Sequence, residues 1–115
     1  MVGHAALERI PRGAIVIARV PEDNKAGRPV LVIRSDALHM TPWVATLPFT
    51  TDLDVDMPHW VRVDRTAENG LERPSRVMTD FPQTLRMNRI DRVIGALDAS
   101  TMAKVTAAFA AAFGV

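Results

Sequence analysis

Four consecutive aliphatic residues, Val30-Leu31-Val32-Ile33, stand between Pro29 and the turn-forming pair Ser35-Asp36. The run is too short for a stable helix, and without polar alternation it reads as a strand buried on both faces. Such a strand belongs in the centre of a sheet, so the rest of the chain must supply its neighbours. Pro29 bars Arg28 from helical geometry and holds it extended where loop becomes sheet, its guanidinium toward solvent and its stem against the core. The polar loop Pro21 to Gly27 upstream is long enough to close over a ligand. Gly27 permits backbone angles, or a close approach, that a larger residue would hinder.

The neighbours can be read on either side. Ala14 to Val20 gives a first strand, apolar or nearly so on both faces, which pairs with the central run through the long Pro21 to Gly27 loop. Ser35 to Pro42 is a loop, and Trp43 to Phe49 a third strand closed by Thr50, Thr51 and Asp52. His59 to Asp64 alternates as a fourth strand with Trp60 or Val61 inward. Arg65 to Pro74 is a polar turn containing Asn69-Gly70. Ser75 to Asp80 forms a fifth strand, Pro82 to Arg89 an irregular or short helical piece, and Arg92 to Leu97 a sixth strand. Strands this closely spaced, with turn signals between, predict a mainly β (α+β) fold built on a small barrel of about six strands.

The C-terminus changes period. Asp98 is a candidate N-cap, and Met102, Val105, Phe109 and Ala112 or Phe113 recur at helical spacing in an alanine-rich segment, so a helix lies across the barrel or against a partner subunit. A chain of 115 residues accommodates one domain with a genuine core. We place that domain at 12–115, after an N-terminal tail at 1–11. With no cysteine, neither disulfides nor thiolate metal sites hold it together. No apolar run approaches a membrane span, and no basic segment leads into an apolar one, so a cytoplasmic protein is expected. The net charge of +1 argues against a broadly basic nucleic-acid binder. Of the 14 basic residues only Lys25 and Lys104 are lysines; the remainder are arginines, whose planar forks suit phosphate, although high genomic GC content gives the same bias.

The usual catalytic sets are missing: no cysteine nucleophile, no phosphate-cradling glycine loop, no histidine pair at ligand spacing. His4 falls in the tail, His39 in a loop and His59 at a strand entrance. The aspartates of Asp52 to Pro58 lack the glycine and terminal glutamate of a calcium loop and read as a solvated connection. No metal or cofactor is expected. What remains is Arg28 with Thr50 and Thr51, beside the loop carrying Asp23, Asn24, Lys25 and Gly27. A guanidinium gives two hydrogen bonds to phosphate oxygens and a hydroxyl adds a third where charge grows. Such a site can cleave RNA without metal, because the ribose 2′-OH is a nucleophile already close to phosphorus. Spacing alone favours a plainer account, in which Arg28 forms a salt bridge and Thr50 ends a strand.

Taken together, Arg12-Gly13, Gly27-Arg28-Pro29-Val30-Leu31-Val32-Ile33, Pro48-Phe49-Thr50, Asn69-Gly70-Leu71 with Ser75, and Ile94-Gly95 before the closing helix resemble the MazF/PemK toxins, or mRNA interferases. The resemblance implies an SH3-like barrel, a homodimer, and cleavage of single-stranded RNA to a 2′,3′-cyclic phosphate and a 5′-OH. It implies Arg28 as catalytic arginine and Thr50 as catalytic threonine. Asp23 is the nearest match to a glutamate that members often carry, and a cognate antitoxin tail occupies the RNA groove. Asn24, Lys25, Gly27, Thr51, Gln83 and Arg86 complete the expected substrate-binding set.

There are departures. Ala14 and Val16 replace an acidic and an aromatic residue, Phe81 and Gln83 stand at glutamine and arginine positions, and Arg86 replaces an aspartate. Val77-Met78-Thr79-Asp80 and Phe113-Gly114-Val115 are also similar to the sister CcdB gyrase poisons, with Phe113 in place of a tryptophan. DNA gyrase as target is therefore the alternative, and an inactive toxin-fold protein a third. Trp43, Trp60 and Phe49 could stack bases, but core packing is the expected use of each.

Overall fold

The computed structural model describes residues 10–20 and 27–115. His4 and the loop positions Asp23, Asn24 and Lys25 lie outside the described residues. Within them the chain forms β1 (Ala14–Ala18), β2 (Arg28–Val32), β3 (Trp43–Thr50), β4 (Val61–Val63), β5 (Ser75–Val77), β6 (Gln83–Arg86), β7 (Ile90–Ala96) and one helix, α1 (Ala99–Phe113). A 3-10 turn, Asp36–Leu38, sits in the loop after β2.

All pairings are antiparallel, in the order β4-β5-β3-β2-β1-β7, with β6 also paired to β3. The central run thus lies between β1 and β3, as a strand apolar on both faces must. Alternate residues of the sheet feed two cores. Val16, Val30, Val32, Val44 and Leu85 point to one side, joined by Ile10, Met87 and Ile90. Ile15, Leu31, Leu47, Phe49, Val63, Leu71 and Val77 point to the other, with Val105 of α1. Val61 of β4 and Ile94 of β7, at opposite ends of the strand order, both pack on this second core. Only a strongly curved sheet brings them together, and α1 closes its interior.

The described residues make seven strands, in keeping with a small sheet of about six and a C-terminal helix. The additional one, β6, falls in the segment expected to be irregular or helical, and the helical component is confined to the 3-10 turn Met87–Arg89. Pairing overrides local preference here. β6 runs along the first half of β3 from Trp43↔Arg86 to Thr46↔Gln83, Leu85 is 2% exposed, and the Thr46 hydroxyl donates to the Gln83 carbonyl at 2.8 Å. The helix forms as its pattern predicts. Asp98 caps it by accepting from the Thr101 N–H at 3.0 Å, Val105 faces the core, and Gly114 ends it at φ 70°.

Two glycine-bearing pairs in the sequence turn out to be one contact. A Cβ on Gly70 would lie 2.2 Å from the Ile94 carbonyl oxygen, and one on Gly95 would lie 2.4 Å from the Glu68 oxygen. The Asn69-Gly70 turn and β7 therefore touch backbone to backbone, and the Ala96 N–H donates to the Glu68 carbonyl at 3.1 Å. Asn69 is buried and ties the turn together, its amide donating to the Asp64 carbonyl at 2.9 Å.

Candidate active site

β2 and β3 separate at a proline. Their ladder runs from Val32↔Thr46 to Val30↔Pro48 and goes no further, since Pro29 has no N–H to give to the next hydrogen-bonded pair. Past that point β3 pairs with β5 instead, and the Pro48 carbonyl accepts from the Met78 N–H at 2.9 Å. Carrying the register two residues on sets Arg28 opposite Thr50, and equal strand parity points both side chains to one face. They line a common groove of about 350 Å³ together with Val30, Pro48, Met78 and Gln83. Arg28 is exposed and Thr50 half-buried, so the groove opens to solvent.

The Thr50 hydroxyl is oriented. Its oxygen accepts the Asp52 N–H at 3.1 Å, which leaves its hydrogen to be donated into the groove. Gln83 follows the bulge after β5 and shares the face because it pairs with Thr46. Gly27 lies just outside β2, where a Cβ would meet Ile17 Cγ2 at 2.5 Å; its need is for close approach to β1, and its φ is not positive.

Three expected substrate contacts lie elsewhere. Thr51, one residue beyond Thr50, faces the opposite side, in a depression of about 540 Å³ at the open end of the sheet's interior with Ile17, Pro29, Arg73 and Arg92. Gly27 also borders this second depression and not the groove of Arg28 and Thr50. Arg86 is the register partner of Trp43, with its guanidinium 4.7 Å from that ring. Seven residues of extended strand, roughly 23 Å, separate this pair from Thr50. Trp43 is accordingly 46% exposed, contrary to the expected core role, whereas Phe49 is buried as anticipated.

Other groups beside the groove have no signature in the sequence. Arg76 is the direct partner of Thr50 across β3 and β5, on the same face. Its guanidinium donates to the carbonyls of Val55, at 2.6 Å, and Met57, and lies 5.2 Å from the Trp60 ring. It thereby holds the exposed loop of Asp52, Asp54 and Asp56 against the sheet. The Asp80 carboxylate accepts from Trp60 Nε1 at 2.7 Å and lies 3.1 Å from His59 Nε2. Burial pushes the Asp80 pKa up, but the contacts from Trp60, His59 and the backbone outweigh it and hold the carboxyl below its ordinary 3.8. These contacts join residues about 20 positions apart, which no local pattern reveals.

Comparison with known proteins bears on the same segments. Residues 11–113 match the model of a family described as PemK-like, MazF-like toxin of type II toxin-antitoxin system. Over 89 residues the chain is 32% identical to a probable endoribonuclease MazF of Mycolicibacterium smegmatis, covering 76% of this chain and 81% of that one. Among solved structures it is similar to the Mycobacterium tuberculosis toxin MazF-mt6, at 32% identity and TM-score 0.76, over 89% of this chain and 97% of that one. A Deinococcus radiodurans MazE-MazF structure, at 19% identity and TM-score 0.75 over 92% and 96% of the two chains, shares the fold. No helix among the described residues is long and apolar enough to cross a membrane.

Proposed function

This chain belongs to the PemK-like, MazF-like toxins of type II toxin-antitoxin systems, and on that footing we propose that it is an endoribonuclease that cuts single-stranded RNA at the groove of Arg28 and Thr50. The relative from M. smegmatis carries the name probable endoribonuclease MazF. The observation that carries the reading is that Arg28 and Thr50 line one open groove, the Thr50 oxygen accepting the Asp52 N–H so that the hydroxyl keeps its hydrogen to donate.

In this mechanism the ribose 2′-oxygen attacks the adjacent phosphorus and the bond to the 5′-oxygen breaks. A 2′,3′-cyclic phosphate and a 5′-OH result. The 2′-OH proton passes to solvent and the leaving oxygen takes one from solvent. A guanidinium is a poor base, so the part of Arg28 is to neutralise charge on the non-bridging oxygens rather than to take the proton. Thr50 adds a hydrogen bond that strengthens as that charge grows. Substrate RNA places the protein's work in the cytoplasm. A homodimer and an antitoxin whose tail occupies the groove complete the reading.

The test is incubation of the purified protein with a long RNA in the presence of chelator, with mapping of the fragment ends. We expect discrete cuts bearing cyclic phosphate and 5′-OH ends, and a loss of about a hundredfold or more in Arg28→Ala, comparable to removal of an oxyanion-stabilising donor. Unimpaired cleavage by a folded Arg28→Ala protein refutes the assignment. Absence of cleavage by the unmodified chain leaves the gyrase-directed or inactive alternative.

A further inference from the structure

Between β5 and β6 the chain leaves β3 and returns. β3 moves on three residues, from Phe49 to Thr46, while the opposing chain uses six, from Val77 to Gln83, so a bulge carrying Thr79, Asp80 and Phe81 stands out beside the groove. The bulge is pinned at every residue. The Phe81 N–H donates to the Met78 carbonyl at 3.1 Å. Thr79 is fully buried, its hydroxyl donating to the His59 carbonyl at 2.9 Å. Asp80 is tied to Trp60 at 2.7 Å. With Thr79 and Asp80 just before it tied down, Phe81 stands 49% exposed.

The ring has support. Its centroid lies 6.0 Å from that of Trp60 at 78°, an edge contact that leaves a face of Phe81 open, and Arg76 packs on Trp60. Since Arg76 is the strand partner of Thr50, an unbroken series of contacts joins Thr50 to this ring. Met78 and Gln83, on either side of the bulge, both line the groove. Phe81 itself stands at the rim, outside the lining, between these two; the other exposed aromatic rings among the described residues, Trp43 and Phe113, have no neighbour in chain that lines the groove.

Resting on the ribonuclease reading, we infer that Phe81 is the stacking platform for an unpaired nucleobase next to the scissile phosphate. Single-stranded RNA is held by bases splayed onto aromatic faces, and a ring fixed in advance binds without first being ordered. Register orients the strand. Arg76 and the bulge lie on one side of Thr50, with the Arg76 guanidinium already committed to the Val55 and Met57 carbonyls, whereas Arg28 lies on the other side. The backbone therefore follows Arg28 and a base turns toward Phe81.

The experiment uses an RNA of about 20 nucleotides spanning a mapped cleavage site, with 2′-deoxyribose at the scissile position so that it binds without being cut. Affinity is measured by fluorescence anisotropy for the unmodified protein, Phe81→Ala, Phe81→Leu and Phe81→Tyr. Loss of one stacked base weakens binding by about 5-fold to 150-fold. We expect that loss in the alanine and leucine variants, and near-native affinity with tyrosine. Abasic substitution at one nucleotide should weaken the unmodified protein equally and have no further effect on Phe81→Ala. Melting curves confirm that each variant is folded. Native affinity in Phe81→Ala, or a leucine variant as good as tyrosine, overturns the platform while leaving the ribonuclease reading intact if the unmodified protein cuts RNA. A protein that neither binds nor cuts RNA overturns both.

Discussion

Thr50 and Thr51 are adjacent and chemically identical, yet the structure gives them opposite surroundings, and replacing each by valine separates the groove from the depression behind it. In Thr50→Val the Asp52 N–H loses its acceptor, but Asp52 is exposed and water replaces the bond, so stability falls by only about 0.5–1 kcal/mol. The larger effect is on the reaction. A hydroxyl donating to a charged phosphate is worth roughly 1.5–3 kcal/mol, which corresponds to about a 10-fold to 150-fold lower cleavage rate. In Thr51→Val no groove contact is lost, and the rate should stay within about twofold of the unmodified protein. Single-turnover cleavage of an end-labelled RNA with enzyme in excess reads the chemical step, and Thr50→Ser, which restores the donor, should recover most of it. An equal or larger defect in Thr51→Val, or a Thr50→Val protein cutting at the native rate, would refute the assignment of the groove.

Other expectations concern the scaffold. Gly95→Ala drives a methyl into the Glu68-Asn69 backbone and should cost about 2–3 kcal/mol in urea unfolding; a loss below about 0.5 kcal/mol would mean that the turn yields freely. Val105→Ala removes two methyl groups from the buried side of α1, for a similar loss of about 2–3 kcal/mol, and unchanged stability would show that the helix is not anchored there. Asp80 gives a pH signature. Its folded pKa is depressed, so its carboxylate stabilises the fold at pH values above the ordinary 3.8, and that contribution is lost as pH falls through the lower folded value. Asp80→Asn should thus be less stable than the unmodified protein at pH 7, with the gap closing at acid pH; a gap independent of pH from 7 to about 2 would contradict the charge-based account.

The sequence by itself determined what is encoded within a few residues. The apolar run after Pro29, the strands around it, the Asp98 cap with its stripe through Val105, and the Asn69-Gly70 turn all depend on local spacing and backbone preference, and each is where the pattern puts it. Arg28 and Thr50 were nameable because each adjoins a proline-marked strand end. Tertiary structure decided the rest. The strand at Gln83–Arg86 exists because β3 offers it an edge some 40 residues away. Arg86 went to Trp43 rather than to the groove because register, not proximity in sequence, chooses its neighbour. The same holds for Arg76 beside Thr50, for the Asp80 tie that turns Phe81 outward, and for the split between Thr50 and Thr51. A one-residue shift of pairing would exchange the two faces of the sheet, so which side chains meet in the groove follows from long-range register alone.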